Sequence, residues 1–151
     1  MEILGLPLHP LIVHATVVIV PLAAIGAIAM SLIRWVRVRY GELVLLAAIG
    51  APILTFITQQ AGEDLSKRFT QPSPALQEHE ALGSTLIWWT IGLLVAVVLV
   101  YLGQRLIDRE NARGRLVLTI GTVLSLVFGI VTVVQCVRIG HAGATAVWAV
   151  G

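Results

Sequence analysis

One cysteine, Cys136, is present among 151 residues. An internal disulfide is therefore excluded, as is any Cys-x-x-Cys redox or zinc motif. A lone thiol in apolar sequence reads first as an inert buried group, with a soft-metal ligand beside His141 as the minority alternative. Charge is scarce as well: Asp, Glu, Lys and Arg make up 12% of the chain, against about 25% in a soluble domain. No basic stripe interleaved with aromatics exists, which sets nucleic-acid binding aside. There is no His-Glu-x-x-His helix and no readable serine–histidine arrangement, so a zinc-dependent intramembrane hydrolase is the weakest of three functional readings. Positive charge is also missing ahead of the first apolar run, where Glu2 stands and Arg34, Arg37 and Arg39 come only afterwards. That is the reverse of a signal peptide, and despite the weak Ala27-Ile28-Ala29 cleavage match the run is kept as a span.

Hydrophobicity is what the chain has in excess: 58% apolar residues and a mean hydropathy of +0.94. A hydrocarbon layer about 30 Å thick needs roughly 20 mostly apolar residues per helix. Four stretches meet that length: Pro10–Ile33, Leu43–Thr58 with an extension to Gln60, Ala81–Leu102 and Leu116–Val137. The expected fold is all-α, a single integral membrane domain over residues 1–151 forming a four-helix transmembrane bundle in contact with the lipid bilayer. The two helical hairpins enter the membrane in the same direction, and an outer connection spans residues 61–80.

Loop arginines give the orientation. Arg34, Arg37, Arg39, Arg105, Arg109, Arg113 and Arg115 lie on one side, against Lys67, Arg68 and Arg138 on the other. The arginine-rich loops are expected to be cytoplasmic, in a bacterial inner membrane, with both termini outside. Glu2, Glu63, Asp64, Glu78 and Glu80 share that outer side. Trp88, Trp89 and Trp148 are expected as outer interfacial anchors and Trp35 as the inner one.

Each hairpin starts near a histidine, turns through arginines and ends in a polar, glycine-containing segment, Gln59-Gln60-Ala61-Gly62-Glu63 or Gln135–His141. This predicts a parallel repeat about an axis along the membrane normal, a homo-oligomer being left open. Runs such as Ala23, Ala24, Gly26, Ala27 and the set Gly121, Ser125, Gly129 predict close helix packing. Pro21 and Pro52 are read as packing features or kinks within two spans. Ser73-Pro74 reads as an N-cap and first helical residue, which would put His79 in the second turn of the third helix.

The chain has four histidines, His9, His14, His79 and His141, and each stands beside an end of an apolar run. Alternation of the spans brings all four to the same face. His9 and His14 are about 140° apart around a helix, so they cannot both face one point. His14, the deeper, is expected to face the bundle interior, since an ionisable group in lipid is costly. Neutral imidazole serves haem iron, copper and zinc. The leading reading is a b-type haem or a transition metal in a redox, electron-transfer role. His14 and His79 are the primary ligands, His141 and His9 are alternates, and Glu63 and Glu80 are orienters or further metal ligands. His141 is expected in a flexible turn after Gly140. The rival reading is a non-catalytic membrane subunit that holds a partner, with its histidines only hydrogen-bonded. No catalytic residue is assigned.

Four ordered motifs carry a family resemblance: Leu6-Pro7-Leu8-His9-Pro10-Leu11-Ile12-Val13-His14, Gly62-Glu63-Asp64-Leu65, Glu78-His79-Glu80-Ala81-Leu82-Gly83 and Arg138–Trp148. Through them the chain resembles the bacterial membrane family called domain of unknown function 2231 over essentially its whole length. The resemblance implies four helices. Relatives fused to Rieske-type or cytochrome c-type modules make redox work the setting that the resemblance implies, and a redox protein on the outer face is left open as a partner.

The loop-charge asymmetry makes a direct prediction. A reporter fused after Gly151 is expected to be active only if it works outside the cytoplasm. Activity from a cytoplasm-dependent reporter at that position would invert the orientation.

Overall fold

In the computed structural model, residues 2–3, 6–67 and 73–148 are described; Arg68 and the rest of the outer connection through residue 72 lie outside them, as does Gly151. Four helices make the fold: α1 (Leu8–Leu32), α2 (Arg34–Ser66), α3 (Pro74–Asp108) and α4 (Gly114–Trp148). All four are long and apolar enough to cross a membrane. A two-residue antiparallel pairing of β1 (Glu2–Ile3) with β2 (Leu6–Pro7) precedes them. The helices outrun the apolar stretches, since nothing stops a helix from continuing past the hydrocarbon boundary until a capping or breaking residue intervenes. For α3 that residue is Ser73, whose hydroxyl accepts from the Leu76 amide at 3.2 Å with Pro74 in the first helical turn. At its other end α2 runs on through Gly62 and Glu63 to Ser66.

The strongest contacts are within the hairpins α1–α2 and α3–α4, then between α1 and α4 and between α2 and α3. α1 and α3 touch little and lie on a diagonal of the bundle. The centre is filled by Val20, Ala23, Ala24, Ala27, Met30, Ala48, Ala51, Leu93, Val97 and Val100, each at most 1% exposed. Leucines, valines and isoleucines along the outer faces, among them Leu22, Leu46 and Val123, are exposed to the surroundings that lipid would occupy. Small residues set the helix spacing. A Cβ at Gly103 would stand 2.6 Å from the Leu118 amide nitrogen, and one at Gly121 2.6 Å from that of Val100. The backbones of α3 and α4 therefore meet with no room for a methyl group.

The expected repeat is visible in the burial registers. A shift of 70 residues carries His9 onto His79 and the buried Thr16, Val20, Ala23, Ala27 and Met30 onto the buried Leu86, Thr90, Leu93, Val97 and Val100. A shift of 81 carries Val44, Ala48, Ala51 and Ala61 onto Ser125, Gly129, Thr132 and Ala142, again all buried. The two shifts differ because α3 extends beyond the point matching the end of α1 and is joined to α4 by residues 109–113, whereas only Ile33 separates α1 from α2.

Most buried hydroxyls in the spans are satisfied locally, with those of Ser125 and Thr132 as exceptions among the described residues. Thr55 and Thr58 donate to the carbonyls of Ala51 and Leu54, and Thr90 to that of Ile87. Arg37 reaches back over the tight turn: its Nη1 donates to Met30 O at 2.8 Å and Ser31 O at 2.9 Å, and its Nε to Gln104 Oε1 at 2.9 Å. It thereby caps the C-terminal carbonyls of α1 and ties that turn to α3. Pro21 and Pro52 sit inside α1 and α2 without ending either helix. Trp35, Trp88 and Trp148 are exposed, while Trp89 turns toward Phe128, with ring centroids 6.1 Å apart. Cys136 is a free, half-buried thiol packed against the core.

Gly121→Ala and Gly103→Ala are expected to force α3 from α4 and cost about 1–3 kcal/mol, as overpacking does. Gly50→Ala, where an added Cβ meets nothing within 4 Å, should be harmless. Thr132, whose buried hydroxyl has no partner among the described residues, should tolerate Val with no loss of stability. Thermal unfolding in detergent micelles checks all four.

Candidate functional site

Antiparallel alternation puts the start of α1, the end of α2, the start of α3 and the end of α4 at one end of the bundle. The rise from Arg37 to Thr58 along α2 is about 32 Å, close to the thickness of the hydrocarbon layer. Thr58 therefore stands at the membrane boundary opposite the arginines. The side chains that meet there are His9 and His79.

His9 is half-buried, and its Nδ1 is 3.0 Å from the carbonyl oxygen of Thr58. The Thr58 hydroxyl lies 2.7 Å from that of Thr16, so α1 is held to this point of α2 by two contacts. The ring lies on Gly62, where a Cβ would come within 3.1 Å of His9 Cε1 and Nδ1. His79 repeats the arrangement in the second hairpin. Its Nδ1 is 3.0 Å from Ile139 O, and a Cβ at Gly143 would come within 3.0 Å of its Cε1 and Nδ1. In both hairpins the accepting carbonyl lies four residues before the glycine, so each ring spans one turn of the neighbouring helix. The two rings face each other across the α1–α3 diagonal, centroids 6.3 Å apart and planes at 85°.

The chemistry of this pair follows from its acceptors. A carbonyl oxygen can only accept, so Nδ1 carries the proton in both rings and donates it. In the neutral imidazole the lone pair is then on Nε2. Each ring is thus oriented by a backbone carbonyl through Nδ1, which leaves Nε2 as the nitrogen not used within the hairpin.

The other candidate residues lie elsewhere at the same end. His14 is exposed on α1, and its Nδ1 donates to Pro10 O one turn back in its own helix. The expectation that His14 faces the interior is thus corrected. The angle between His9 and His14 stands, but it is His9 that faces α2, and His14 is turned away by the same helical geometry. His141 is also exposed; with Ala144, Thr145 and Trp148 it lines an open, shallow depression. The expected turn after Gly140 is absent because α4 continues to Trp148, with Ala142 buried and Gly143 under His79. Glu63 and Glu80 are exposed, and among the described residues neither hydrogen-bonds to an imidazole. The backbone carbonyl of Ile139 takes the orienting role expected of Glu80, since residue 80 is turned about 100° from His79 on the helix. Among the described residues no group of three or more His, Cys, Asp and Glu side chains converges as a metal site. The pairing of His9 rather than His14 with His79, and the two carbonyl acceptors, were missed from sequence. The signal was the repeated Ala-Gly dipeptide, Ala61-Gly62 and Ala142-Gly143.

Over residues 5–151 the sequence matches the family described as "Predicted membrane protein (DUF2231)". The chain belongs to that family. No curated protein and no solved structure matches it. The match covers both hairpins, and with them both imidazoles and both glycine seats.

Long-range proton–nitrogen correlation spectra of the ring-labelled protein above pH 8 should find His9 and His79 in the Nδ1–H form, which is the minor tautomer of free imidazole side chains. Gly62→Ala or Gly143→Ala should disturb the resonances of the ring above it and leave the other less affected. Nε2–H signals from both rings would contradict the carbonyl contacts.

Proposed function

We propose that the His9–His79 pair binds a redox-active transition metal at the outer end of the bundle and that the protein carries electrons there. The observation that carries this reading is the symmetric pair itself, with each Nδ1–H committed to a carbonyl and each Nε2 left with its lone pair. With ring centroids 6.3 Å apart and planes at 85°, His9 and His79 are the two residues that would hold such an ion. Copper is favoured, because imidazole suits it and it changes oxidation state where zinc does not. Haem fits the arrangement less well: the glycine seats are filled by the imidazoles, and Val20, Thr90 and Leu93 further along the spans are fully buried. Haem binding requires the helices to part at this end.

Such a site, in a bacterial inner membrane with both termini outward, serves a donor or acceptor protein on the outer face. His14 and His141 remain available there as exposed imidazoles. The second reading, a non-catalytic subunit that holds a partner, draws on the fact that each imidazole already clamps its own hairpin through a hydrogen bond.

Metal analysis and visible spectroscopy of the protein purified from membranes, before and after incubation with cuprous ion, separate these readings. One copper per chain is expected, lost in His9→Ala and in His79→Ala and kept in His14→Ala. Binding should fall in acid, where protonation of Nε2 competes with the metal. Absence of copper, iron, zinc and a Soret band would overturn the proposal and leave the clamping role.

A further inference from the structure

The end of the bundle opposite the imidazoles holds a second concave site, between the first turns of α2 and the last turns of α3. It encloses about 310 Å³ and is lined by Arg37, Arg39, Glu42, Tyr101, Arg105 and Asp108. Its charges are not matched internally. Arg105 Nη2 pairs with Glu42 Oε1 at 3.0 Å and bonds the Tyr101 hydroxyl at 2.6 Å. Asp108 Oδ1 accepts from the Gln104 amide at 2.8 Å, and Gln104, 8% exposed, uses its other end on Arg37. The half-buried Arg37 guanidinium thus meets neutral acceptors only, and among the described residues neither it nor Arg39 has a carboxylate within ion-pair distance. Three guanidiniums thus face the two carboxylates of Glu42 and Asp108, and the recess keeps a net positive charge with Arg37 and Arg39 outside any ion pair among the described residues.

The repeat shows that this recess is a specialisation of one hairpin. The 81-residue shift that superimposes the buried faces of α2 and α4 carries Arg37, Arg39 and Glu42 onto Leu118, Ile120 and Val123. A charged recess is therefore no consequence of the shared architecture. Apolar side chains continue from it along the outside of the bundle: Val38, Leu43 and Leu46 on α2 and Leu102 on α3 are all exposed. An anion held at Arg37 and Arg39 has an acyl track leading away from it toward the middle of the spans.

We infer that this recess binds the phosphodiester headgroup of an anionic phospholipid, from the leaflet that faces the arginine-rich loops. Basic pockets between transmembrane helices at a membrane boundary bind such headgroups, and each arginine near an anionic surface contributes about 1 kcal/mol. The exposed apolar track selects a lipid over a free phosphate, because only a lipid covers both. This site is independent of the imidazole pair.

Native mass spectrometry of the full chain released from micelles containing equal phosphatidylglycerol and phosphatidylcholine tests it. One phosphatidylglycerol should be retained in preference. Arg39→Gln, an exposed position with no partner among the described residues, should lower that retention about fivefold. Arg115→Gln, on the same end but outside the recess, should not. Equal loss in both variants, or no lipid preference, overturns the site. Displacement of the lipid by millimolar glycerol phosphate overturns the lipid as its source, because a headgroup without acyl chains would then suffice.

Discussion

Inside a bilayer there is no water to receive a backbone polar group, so each one has to find its partner within the protein. That constraint explains more of this molecule than its hydrophobicity does. It makes every span a helix, and it turns the threonine hydroxyls back onto carbonyls of their own helices, as at Thr55, Thr58 and Thr90. It draws the Arg37 guanidinium over the end of α1, where the carbonyls of Met30 and Ser31 lack helical donors. It also accounts for three of the imidazoles, because the Nδ1–H groups of His9, His14 and His79 are each taken up by a backbone carbonyl.

Close approach of the helices is the second condition. Where backbones touch, as at Gly103 against Leu118 and Gly121 against Val100, small residues are the means by which helices gain contact in a solvent as apolar as themselves. The same device at the boundary serves a different end. Gly62 and Gly143 make room for a ring rather than a backbone, and that room lets His9 and His79 lie flat enough to reach the carbonyl one turn away. Packing and site geometry therefore rest on one residue choice, applied at two depths.

The two ends of the bundle differ in how they use the internal repeat. At the imidazole end both hairpins keep the same histidine, the same carbonyl contact and the same Ala-Gly step, so the pair has an approximate two-fold relation. At the arginine end one hairpin carries Arg37, Arg39 and Glu42 where the other carries Leu118, Ile120 and Val123. A symmetric site between the hairpins and an asymmetric recess on one side follow from the same duplication of burial pattern.

The sequence by itself determined the four spans, their alternation and the gathering of all four histidines at one end. Those features depend on the length of apolar runs and the order of polar segments, which are one-dimensional. The helix start at Ser73-Pro74 was legible for a similar reason, since a cap and a first-turn proline act within a few residues. Which histidine faces inward was decided only by the tertiary structure. Helical periodicity fixes the angle between His9 and His14 but not the rotation of α1 about its axis. That rotation is set by the side chains of α1 that pack against α2, α3 and α4, with Thr16, Val20, Ala23 and Ala27 turned to the centre. The carbonyls of Thr58 and Ile139 were hidden for the same reason: every residue has one, and only the meeting of two helices selects which of them a ring can reach.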